Sequence, residues 1–133
     1  MDYREISQQY AQGAIKAAFL LNGGASVAML TQLNSLDYLA KALVWAMVAW
    51  AVGLVGSALA WAFGFAATRA FDDWQRFLAS DVNRADTYRV TGNNWQTAAL
   101  AALCLALVLF LAGSVSLALG YSAYHADVAL GIS

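Results

Sequence analysis

Polar and apolar positions alternate along this chain in long blocks. Three stretches carry no charged side chain: Ala17–Leu36, Ala42–Thr68 and Val90–Tyr124, of 20, 27 and 35 residues. A helix needs about 20 mostly apolar residues to cross a bilayer, so each block is long enough. The pattern predicts an all-α transmembrane bundle of one domain with three spans, at about 15–35, 39–68 and 95–122, and a cytoplasmic connection over 69–94. Residues 2–16 are polar, with Tyr3, Ile6, Tyr10 and Ala14 recurring every three to four positions. That spacing predicts a helix running continuously into the first span. The N-terminus is acidic and the first apolar run exceeds a signal-peptide core of about 7–15 residues, so a retained helix is expected rather than a cleaved leader.

The breaks between blocks differ in kind. Asn34-Ser35-Leu36-Asp37 offers side chains that cap a helix, which predicts a tight hairpin between spans one and two. Residues 69–92 are longer and hold four arginines and four aspartates. Phe71, Trp74, Phe77 and Leu78 fall on one helical face, with Asp72, Gln75 and Arg76 opposite. Arg69–Asp73 and Asp72–Arg76 have the i, i+4 spacing of helix-supporting ion pairs. The third span must begin near the bilayer, so the chain has to turn back, and Ser80-Asp81-Val82-Asn83 has the side chains for a turn. Either a helical hairpin or an interfacial helix satisfies this geometry. Gly92 followed by Asn93 and Gln96 reads as a stop and a new N-cap, and Trp95 as the interfacial aromatic near which the third span starts.

Composition reinforces the membrane reading. The chain is 62% hydrophobic and 11% charged, with mean hydropathy +0.59, against roughly 25% charged residues in soluble domains. Net charge is −1 with no basic block, which argues against a nucleic-acid partner. Arg4, Lys16, Arg69, Arg76, Arg84 and Arg89 fall on one side of three spans and only Lys41 on the other. The positive-inside rule then predicts a cytoplasmic N-terminus and an outer C-terminus. The lone Cys104 excludes an intramolecular disulfide.

Candidate chemistry is sparse. The single histidine, His125, lies beyond the last span, no carboxylate interrupts a span, and metal-ligand spacing is absent. The expectation is a non-enzymatic protein without cofactor or metal. Asn22-Gly23-Gly24-Ala25-Ser26 is the strongest local signal, because an amide at membrane depth is costly unless hydrogen-bonded. Asn22, Gly23, Gly24 and Ser26 fit either helix packing or a polar face lining a pore. Small residues also recur every fourth position: Ala49, Gly53 and Ser57; Gly56, Ala60 and Gly64; Ala112, Ser116 and Gly120. Such ridges support helix association in membranes, and two of them on one helix predict one contact inside the bundle and one with a neighbouring subunit.

Ala18-Phe19-Leu20-Leu21-Asn22-Gly23-Gly24-Ala25-Ser26 resembles the first helix of small uncharacterised multi-pass bacterial membrane proteins. Gly92–Gly120, with Ser114 and Ser116, looks similar to their last span. The resemblance implies an inner-membrane location and, for some members, a prophage or phage-defence neighbourhood. Two functions follow as expectations. One is a homo-oligomer in the lipid bilayer, joined through small-residue faces and forming a pore or perturbing the membrane. The alternative is an accessory or assembly subunit of a larger membrane complex, docking through Arg69, Arg76, Arg84 and Arg89.

Overall fold

The computed structural model describes residues 3–31 and 40–130, which form three α-helices and, among these residues, no strand. They are α1 (Tyr3–Leu30), α2 (Ala40–Phe77) and α3 (Val82–Ala129). Their 28, 38 and 48 residues correspond to about 42, 57 and 72 Å at 1.5 Å per residue. All three are long and apolar enough to cross a membrane, and α2 and α3 greatly exceed its ~30 Å hydrocarbon core. The expected break at residues 34–37 lies outside the described residues.

α2 and α3 form one long antiparallel hairpin. Contacts run in order along it: Trp50 lies against Gly113, Gly56 against Ala106, Phe63 against Trp95, Phe71 against Gly92, and Phe77 against Tyr88. α1 packs antiparallel on α2, with Gly23 near Leu54 and Ile15 beside the groove that Trp61 lines. The interior is made of small side chains. Ala18, Ala46, Ala60, Ala67, Ala70, Ala85 and Ala106 are buried, whereas Leu20, Trp45, Val108, Leu111 and Leu119 are exposed. Such large apolar exposure would mark an interaction surface in a water-soluble protein. In lipid it is the expected arrangement, because tails solvate leucine and only close backbone approach favours helix association.

The 69–92 segment resolves into the helical hairpin rather than the interfacial helix. The turn falls where the residue chemistry placed it. Ser80 and Asp81 donate their backbone N–H groups to the Phe77 carbonyl at 3.1 and 2.8 Å. Asp81 then caps α3, its carboxylate accepting from the Arg84 backbone N–H at 3.1 Å. Phe71, Trp74 and Phe77 are half-buried, Phe71 and Phe77 against α3, while Asp72, Gln75 and Arg76 are exposed. Leu78 departs from its expected face and is 50% exposed at the turn.

The predicted stop at Gly92 is corrected. α3 continues unbroken from Val82, so Asn93 is not an N-cap and no helix starts at Trp95. Gly92 is buried, and a Cβ there would lie 3.0 Å from Phe71 Cε1. The residue serves close packing, not a turn. The predicted i, i+4 ion pairs are also replaced. Arg76 pairs with Asp73 at 3.8 Å, and the Arg69 guanidinium lies 5.6 Å from the Phe65 ring centroid.

Candidate functional site

The three helices meet at Asn22. It lies on the same face of α1 as Ala18 and Ser26, four residues away on either side, and is fully buried. Gly53 and Ala106, which it meets, are near the middles of the second and third charge-free stretches. The contact therefore sits at mid-membrane depth, where an unpaired amide costs most.

The Asn22 side-chain amide donates to the Ala18 carbonyl at 2.9 Å and to the Ala106 carbonyl of α3 at 3.3 Å. This orientation is the only reasonable one, because a flipped amide would set its oxygen against two carbonyl oxygens. Oδ1 then has no conventional donor. It faces Gly53 instead, where an added Cβ would overlap Oδ1 and lie 2.7 Å from Asn22 Cγ. The Gly53 Cα–H thus points at the amide oxygen. Contacts of this type recur at helix–helix interfaces as weak hydrogen bonds. Only glycine at 53 leaves room for an asparagine at 22.

The neighbouring hydroxyls turn inward on their own helices. Ser57 Oγ donates to the Gly53 carbonyl at 2.9 Å, and Ser26 Oγ to the Asn22 carbonyl at 2.9 Å. The second α2 ridge packs elsewhere: a Cβ on Gly56 would lie 3.3 Å from the Ala102 carbonyl oxygen and 3.5 Å from Ala106 Cβ. Each α2 ridge thus makes one contact inside the chain, while Gly64 of the second has open space where a side chain would stand. Gly53 receives α1 and Gly56 receives α3 within a single chain.

Other predicted residues are not part of this contact. Gly23 makes only an ordinary approach of 3.4 Å to Leu54 Cδ1, and Gly24 and Gly64 have open space where a side chain would stand. The paired glycines of α1 are thus not its point of closest approach. Ser116 and Gly120 are half-buried near the C-terminal end of α3.

Sequence reasoning missed Trp50 and Gly113. The Trp50 indole N–H donates to the Phe110 carbonyl at 3.1 Å, and its ring fills the space over Gly113, where a Cβ would lie 2.6 Å from Nε1. The signal was present: Trp50 shares a helical face with Ala46, Gly53 and Ser57, and a buried indole needs an acceptor.

The arginines form a separate feature at the far end of the hairpin. Arg84 lies over the Phe77 ring, 4.3 Å from its centroid, and that ring stacks on Tyr88 at 5.6 Å. Arg89 pairs with Asp86 at 2.8 Å. Arg69, Arg76, Arg84 and Arg89 remain exposed. At the opposite end, His125 packs edge-on against Tyr121, with ring centroids 4.4 Å apart. Among the described residues no group of three metal-ligating side chains comes together. Cys104 is exposed on α3 at membrane depth. No family model, curated protein or solved structure matches the chain.

Proposed function

We propose that this chain is a non-enzymatic membrane adaptor of a bacterial inner membrane, N-terminus cytoplasmic, that presents a stiff helical arm to a partner in a larger complex. The observation that carries this reading is the continuity of α2 and α3 through residues 69–92. Helix rise puts the turn about 15 Å beyond Arg69, and Phe71, Ala85, Tyr88 and Gly92 knit the arm together. A flexible loop would lose conformational entropy on binding. A pre-formed helical arm carrying four exposed arginines loses less.

The experiment places a photo-crosslinking residue at Asn83, with Val108 as a lipid-facing control, in native membranes. A single heterologous adduct from Asn83, absent at Val108 and lost on Arg84→Glu with Arg89→Glu, is the expected result. Adducts only with a second copy of the chain would refute the adaptor. They would favour the homo-oligomer, for which Ala112, Ser116 and Gly120 supply a small-residue ridge at the outer end. A pore along the Asn22 face gains less support, since that face is closed by Gly53 and Ala106 within one chain.

A further inference from the structure

A groove opens between α1 and α2 on the arm side of the Asn22 contact. The helices touch where Asn22 fills the space over Gly53, and on the arm side a Cβ on Gly13 or Gly64 would meet nothing within 4 Å. The groove measures about 540 Å³ and is walled by Ile15, Phe19, Leu20, Ala58 and Trp61. Ser57 forms its floor, with its hydroxyl already donated to Gly53. The volume falls within the roughly 300–1,000 Å³ of small-molecule sites.

Polarity changes sharply at one end. Lys16 is the charged residue of the lining, and among the described residues it makes no ion pair or hydrogen bond. The Trp61 indole N–H likewise has no acceptor there, its ring stacking on Phe65 at 6.2 Å. Arg69 lies beyond Phe65 on the same stripe. Asp72 follows one turn further out, and Asp73 is paired with Arg76. No described carboxylate lines the groove. The site is thus apolar except for Lys16 and the Trp61 N–H, which lie about 9 and 12 Å along their helices from the Asn22–Gly53 level, where a lysine side chain can snorkel to the headgroups.

We propose that this groove binds one anionic phospholipid of the surrounding bilayer, independently of the adaptor reading. An acyl chain lies along Phe19, Leu20 and Ala58, and the phosphate meets the Lys16 ammonium and the Trp61 N–H. Lysine and tryptophan at the interface have the reach and donors for this. A second copy of the chain is a poor occupant, because a two-fold contact through this groove would bring two Lys16 side chains together.

Native mass spectrometry of the full chain, loaded with phosphatidylglycerol or phosphatidylcholine, tests the proposal. The wild type should retain one phosphatidylglycerol about fivefold better than phosphatidylcholine, the size of one lysine's attraction to an anionic lipid surface. Lys16→Gln should abolish the preference and Lys16→Arg should restore it. Ala58→Phe, which fills the groove from an exposed position, should reduce retention of both lipids, with circular dichroism confirming unchanged helicity. Equal retention of the two lipids by the wild type, a preference that survives Lys16→Gln, or unchanged retention in Ala58→Phe overturns it. Dimers in place of lipid adducts would assign the groove to self-association and overturn it equally.

Discussion

Asn22 and Gly53 are coupled by shape as well as by polarity. An alanine at 53 would force the Asn22 amide off its two carbonyl acceptors. Overpacking costs about 1–3 kcal/mol, and lost interhelical hydrogen bonds in membranes add roughly 1 kcal/mol. Gly53→Ala should therefore destabilise the fold by about 2–4 kcal/mol in a reversible SDS unfolding assay. The same substitution in an Asn22→Ala background should cost less than half as much, because the clash is gone. Additive effects of the two changes would show that the contact does not exist in the bilayer. The polar position was legible in the sequence because an amide inside an apolar run stands out. Its partner was not, since nothing local distinguishes Gly53 from Gly23, Gly24 or Gly64. Only the crossing point of α1 and α2 selects it.

At the scale of the helix, Gly92 shows how local chemistry misleads. Gly92-Asn93-Asn94 has turn composition, yet its backbone lacks the left-handed φ that would require glycine, and α3 passes through it. Packing of Phe71 from α2 outweighs the modest helix propensities of glycine and asparagine. Hydrogen exchange gives the test: amides of Gly92–Trp95 should be protected to the same degree as those of Thr87–Arg89, and loop-like exchange there would contradict a continuous α3. The turn itself behaves as its residues dictate. Asp81→Ala removes a side-chain cap worth about 1 kcal/mol and should raise exchange at Arg84 without altering exchange at mid-span Ala106.

Across the whole molecule, stability is unevenly shared. α2 and α3 touch along their length, from Trp50 and Gly113 to Phe77 and Tyr88. α1 buries Ala18 and Asn22, whereas its described residues Ala11–Ala14 are exposed. Elements with few buried contacts open first. Spin labels on exposed Leu21 and Val55 report the α1–α2 distance, and labels on exposed Leu59 and Leu100 report α2–α3. In graded SDS the first distance distribution should broaden at a lower detergent fraction than the second. Simultaneous broadening would make the bundle one cooperative unit.

The sequence by itself determined the all-helical class, the three membrane-length helices and the turn at Ser80-Asp81. Each follows from the length of an apolar run or from side chains bonding to adjacent backbone, and both effects are local. Only the folded chain shows which glycines are close contacts, that Gly53 meets α1 and Gly56 meets α3, and that the 69–92 segment is a helical hairpin. Those outcomes depend on where helices cross. In an apolar solvent a crossing is set by shape over many small residues at once, and an alanine-rich chain offers many such shapes in sequence but realises one in space.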